Sequence, residues 1–166
     1  MINSVKHRAN LPVSEQLVLW GIRHWAAGFP LGTFRHKLLR DAFRLARAPG
    51  AALALDAFLT IVFSARESTI DIRSPAASSV TDHEALLLSV VAHSQIQGGL
   101  KDASELLATW LPPAGRRIAL PHCVDFAGHL IGGGHLLRPW RSTETETETE
   151  AWVGTNLSPS TLVLLN

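Results

Sequence analysis

Apolar residues recur through most of the first 140 positions at spacings of three and four, the period of a helix buried along one face. Phe34 to Ala48 shows it most cleanly. At 100° per residue, Phe34, Leu38, Leu39, Ala42, Phe43, Leu45 and Ala46 fill one half of the wheel, and His36, Lys37, Arg40, Arg44 and Arg47 form a narrow basic stripe on the other. Thr33 stands where an N-cap belongs, and Pro49-Gly50 stops the pattern. Upstream, Leu17 to Ala27 is apolar around most of its circumference, with Arg23 on its polar side, Ser14 as its cap, and Gly28 and Pro30 at its end. Gly21 and Gly28 lie seven apart on one face and predict close approach of a second helix. Downstream, Ala51 to Ala65 is apolar nearly all round, which belongs at the centre of a bundle.

Residues 66–80 read as a connector in which the alternation of Thr69 to Arg73 predicts a short edge strand. Thr81 and Glu84 form the capping box T-D-H-E before a helix over Ala85 to Ile96, stopped by Gly98-Gly99. Lys101 to Leu111 follows as a short amphipathic helix with Leu106, Leu107, Trp110 and Leu111 on its apolar side, ended by Pro112-Pro113. A last helix spans Ala114 to Ile131. An interior proline costs about 3 kcal/mol, so Pro121 predicts a break near Leu120 or a fresh start with Pro121 in the first turn. Gly132 to Gly134 ends it. The chain thus reads as an all-α orthogonal bundle of about six helices within a domain over residues 1–141. In the segment 142–150, TETETETE opposes helix through Glu–Glu pairs at i, i+4 and strand through four Glu on one face, so a solvated linker is expected. Residues 151–166 are apolar again and form an expected tail.

The stretch LVLWGIRHW (Leu17 to Trp25), the capped T-D-H-E helix, the short LLATWLPP helix and the final helix together resemble a group of small, uncharacterised all-helical bacterial proteins. The likeness covers about residues 14–138. It implies the same helical fold and no activity. Members of that group carry cysteines just before the capped helix. Residues 73–79 here read RSPAASS, so no metal role follows from it.

Composition sharpens this picture. Of 166 residues, 46% are hydrophobic and only 17% charged, which excludes disorder for most of the chain and favours either large buried helices or a surface that covers itself in a partner. The net charge of +1 gives no global attraction to nucleic acid or membrane, but it conceals an asymmetry. Residues 1–47 carry eight Lys or Arg against Glu15 and Asp41, and without the four repeat glutamates the chain would be +5. The lone Cys123 excludes an internal disulfide and a Cys-pair zinc site. No apolar run reaches the ~20 residues of a membrane span, and no secretory h-region is visible, so a cytoplasmic protein is expected.

Three functions compete on these residues. The leading expectation is a non-enzymatic interaction or regulatory module that binds a protein partner or itself and needs no cofactor. The second is nucleic-acid binding through the stripe His36, Lys37, Arg40, Arg44 and Arg47, although it lacks the Asn, Gln, Ser or Thr that usually read bases beside Arg. The third is a metal-dependent enzyme. His122, Asp125 and His129 fall at i, i+3 and i+7 on one helix face, and His, carboxylate and His suit zinc or iron with a position open for water. Cys123 as a nucleophile would need a base such as His83 or His93 nearby.

Overall fold

A computed structural model describes residues 6–31 and 36–140, Leu31 and His36 by their backbone alone. Six helices follow one another: α1 (Val13–Gly28), α2 (His36–Leu45), α3 (Ala51–Ala65), α4 (Asp82–Ser94), α5 (Leu100–Leu107) and α6 (Pro113–Gly132). Short 3-10 turns occupy Arg8–Asn10 and Phe29–Leu31. The fold is an all-α bundle, and among the described residues no strand forms and no helix is long and apolar enough to cross a membrane. The TETETETE segment, the tail and Thr33 lie outside the described residues.

The bundle is organised on α3 and α6, which share the most extensive contact. They run antiparallel, since Gly115 near the start of α6 lies against Ala65 at the end of α3, and His129 near the end of α6 lies against Gly50 just before α3. From α3, Ala51, Ala52, Leu55, Phe58, Leu59 and Val62 are buried, while Leu53 and Thr60 face solvent. The helix is therefore central on one broad face rather than all round. α1 and α2 also pack on α3, and Gly21 makes their approach possible: a Cβ there would stand 3.0 Å from Phe43 Cζ and 3.2 Å from Leu55 Cδ2. Asp56, a lone acid in an apolar run, accepts the Trp25 indole N–H at 2.8 Å and so ties α3 to the end of α1. Trp25 stacks on Phe29 at 4.8 Å and meets Phe63 at 5.1 Å.

Four local expectations need correction. α1 begins at Val13, with Pro12 as its cap residue, so Ser14 lies inside the first turn and caps nothing. The 69–73 segment is irregular because its backbone bonds to side chains of α4 instead of to a strand: Asp71 N–H donates to His83 Nδ1 and Arg73 N–H to Glu84. Pro121 does not break α6. Its ring and Arg117, whose carbonyl loses the proline's hydrogen bond, are both exposed, where water replaces the donor. On the opposite side Ala119, Cys123, Phe126, Ala127 and Leu130 are buried and hold the helix in one piece. The fourth concerns Arg23, which is not on a polar face at all.

Candidate functional site

Arg23 is 1% exposed and Glu84 0%. The guanidinium donates through Nε to Glu84 Oε1 at 2.7 Å and through Nη2 to Oε2 at 2.9 Å, a bidentate fork. Nη1 and the second hydrogen of Nη2 reach the carbonyls of Ala77 and Ser79, each at 2.6 Å. Glu84 in turn accepts the backbone N–H groups of Arg73 and Thr81, each at 3.0 Å, and Thr81 Oγ1 accepts Glu84 N–H. The capping box expected from the sequence is therefore also one end of a buried ion pair that joins α1, α4 and the 66–80 connector. With its polar atoms engaged, the pair is structural and offers nothing to a ligand.

The basic stripe is where the geometry turns outward. Lys37, Arg40, Arg44 and Arg47 are exposed, and among the described residues none of them forms an ion pair. His36 opens the helix, and its side chain is outside the described residues. Beside the stripe, Leu45 is 86% exposed and Leu38 43%. Arg47 lies beyond the helix. It has φ of 62°, with Ala48 N–H on Phe43 O and Arg47 N–H on Arg44 O. This is a Schellman ending with an arginine in the left-handed position usually given to glycine. α6 ends in the same way with Gly134 at φ of 84°, His135 N–H on Leu130 O and Gly134 N–H on Ile131 O. The two endings are stitched together by His135, whose Nε2–H donates to Ala46 O at 2.8 Å while Nδ1 meets Ser14 Oγ at 3.4 Å. Leu45, Val13 and Leu136, chain neighbours of those three bonded residues, are all strongly exposed.

The metal candidates do not converge. His129 Nε2 pairs with Asp125 Oδ1 at 3.6 Å, and the imidazole lies over Gly50. Among the described residues no three His, Cys, Asp or Glu side chains gather as a metal would require. A shared helix face explains why. Seven residues of helix separate His122 from His129 by roughly 10 Å along the axis, against ligand bonds of about 2 Å. Cys123 is fully buried against Ser94 Oγ at 3.3 Å, and burial pushes its thiol up to about 12, with the Ser94 hydrogen bond opposing. That is the opposite of an activated nucleophile. His93 turns instead toward Asp102 at 3.6 Å, and His83 packs edge-on against Trp110.

One polar arrangement had no expectation attached to it. Residues 135–140 leave α6 and cross between α1 and α4 as an extended segment held by side chains. Leu137 N–H donates to Gln95 Oε1 at 2.8 Å, Arg138 N–H to Glu15 Oε1 at 3.0 Å and Trp140 N–H to Ser89 Oγ at 3.0 Å. Gln95 also donates to His135 O at 2.8 Å. Pro139 has no N–H to satisfy. Glu15, counted from the sequence only as one of two early acids, thus fixes a segment 123 residues away. The available hint was its place just inside a helix N-terminus, where a carboxylate is favoured.

No protein-family model matches the chain, and no curated protein or solved structure matches it.

Proposed function

We propose that the protein is a non-enzymatic, cytoplasmic interaction module whose α2 face takes an acidic partner surface, in the first instance that of a second copy. The observation that carries this reading is the set of four exposed cations, Lys37, Arg40, Arg44 and Arg47, unpaired among the described residues and bordered by the exposed Leu38 and Leu45. Apolar side chains ringed by one sign of charge supply both adhesion and orientation to an interface. The chain contains the complementary chemistry in the four glutamates of TETETETE followed by an apolar stretch. The free, buried thiol of Cys123 is compatible with a reducing compartment.

Sedimentation or light scattering of the full chain, beside a chain ending at Arg141, tests the proposal. The full chain is expected to self-associate at low salt, to dissociate as salt rises, and to be monomeric when Lys37, Arg40, Arg44 and Arg47 are all changed to Gln. A full chain that is monomeric at every concentration and ionic strength would overturn self-association. Salt-sensitive retention on duplex DNA by the same four residues, with no self-association, would replace the proposal by the nucleic-acid reading.

A further inference from the structure

Glu15 is 5% exposed, and only one of its carboxylate oxygens is used. Oε1 accepts the Arg138 N–H; Oε2 is buried without a hydrogen-bond partner among the described residues. The residue lines a cavity of about 220 Å³ whose other walls are Leu11, Pro12, Leu88, Arg138, Pro139 and Trp140. Trp140 Nε1, a donor, is also buried and without a partner among the described residues, but an ammonium has no acceptor to offer it, so it takes no part in the binding inferred below. Buried polar atoms are nearly always satisfied, and an unpaired carboxylate oxygen on a residue that lines an apolar cavity is a strong exception.

We infer that this cavity binds a primary ammonium group carried on a short aliphatic chain. An ammonium supplies the donor that Oε2 lacks and the charge that a buried carboxylate calls for. Leu11, Pro12, Leu88 and Pro139 give the aliphatic part its apolar walls. The volume admits a chain of a few carbons and not a drug-sized molecule. Arg138 also lines the cavity, but the residue is exposed, so solvent screens its charge from a bound cation. The site stands on α1, α4 and the 136–140 segment and does not depend on the α2 face.

The test is titration of the full chain at neutral pH with n-butylamine, followed through the Arg138 amide and Trp140 indole N–H resonances, with n-butanol as the neutral isostere. Saturable shifts at both resonances are expected, with the alcohol weaker by about tenfold or more, as befits a hydrogen bond to a charged group. Glu15→Gln keeps the Oε1 acceptor for Arg138 and should weaken butylamine by a similar factor. Equal binding of amine and alcohol, or no saturable shift with either, overturns the inference. Should Glu15→Gln fold poorly, the amine–alcohol comparison on the unaltered chain decides alone. N-acetyl-lysine methylamide distinguishes the source: tighter binding than butylamine assigns the site to a protein lysine, weaker binding to a free amine, and either supports it.

Discussion

Glu84→Gln gives the sharpest test of how this fold is held. The substitution preserves volume and one acceptor oxygen, but it removes the charge that faces Arg23 and replaces an acceptor by a donor. Four bonds end on that carboxylate: two from Arg23 and one each from the N–H groups of Arg73 and Thr81. Because Arg23 is 1% exposed, water does not compensate for the loss. Breaking a buried pair from one side costs about 3–5 kcal/mol, since a desolvated charge is left alone. Against a total stability of roughly 5–15 kcal/mol this is a large share. With a urea slope near 2 kcal/mol/M, the midpoint should fall by roughly 1.5–2.5 M, read by circular dichroism. Arg23→Met should be costly too, because the carbonyls of Ala77 and Ser79 lose their donors with it. The double variant Arg23→Met/Glu84→Leu should then be less destabilised than the sum of the corresponding single variants by about 2 kcal/mol or more. A Glu84→Gln midpoint within about 0.5 M of the parent, or strict additivity, would refute the claim that the two charges hold each other in place.

Arg47→Gly should raise stability by about 1 kcal/mol, because the left-handed backbone at φ of 62° strains any side chain and not glycine; no rise in melting temperature would contradict this. Gly99→Ala should cost about 1–3 kcal/mol in chemical denaturation, since a Cβ there would stand 2.2 Å from the His93 carbonyl oxygen and only backbone movement relieves the clash. Cys123 should make stability fall as pH rises from about 9 toward about 12. The unfolded thiol ionises near 9 while the folded one holds its proton to about 12, so the unfolded state binds fewer protons across that window. Cys123→Ala should lack this component of the fall, and with no tyrosine in the chain the phenol that usually titrates in that range is missing.

What could be read from the sequence was local. Ala51 to Ala65 appears with the bounds its apolar run predicts, and the T-D-H-E box and the triple-glycine stop lie where they were expected. These features depend on neighbours within one or two turns. Arg23 could not be placed in that way. Periodicity marks it as the charge on an otherwise apolar helix, but its burial is decided by Glu84, 61 residues on. Pro121 escapes a local reading because the cost of a lost hydrogen bond is local, while the packing that outweighs it lies on the far side of the helix. The His122, Asp125 and His129 set looked convergent because a helical wheel shows angle and suppresses rise. The exposure of Lys37, Arg40, Arg44 and Arg47 is legible on the wheel, but that of Leu38 and Leu45 is not: both fall on its apolar half and are 43% and 86% exposed. The Glu15 cavity was not legible either, because nothing in residues 135–140 announces that they dock across α1 and α4.

The disposition of these charges bears on function more than their sum does. Among residues 1–47 only two acids exist, and Glu15 is taken into the interior to hold Arg138, which leaves Asp41 as the exposed one. One base, Arg23, is also taken inside, but it is neutralised there by Glu84 from another part of the chain. The described exterior of this third therefore loses one cation and one of its two anions, so its net basic charge survives folding unchanged. A field assembled in this way acts over about a Debye length, roughly 10 Å at 0.1 M salt, and speeds encounter with an acidic surface more than it strengthens the final contact. Exposed leucines beside it supply the adhesion that charge alone does not. Association through the α2 face should accordingly lose rate steeply with salt, whereas Leu45→Ser should raise the dissociation rate and leave the salt dependence of association unchanged. A Leu45→Ser variant with the parent's dissociation rate would remove the apolar part of the proposed interface and leave a purely electrostatic contact.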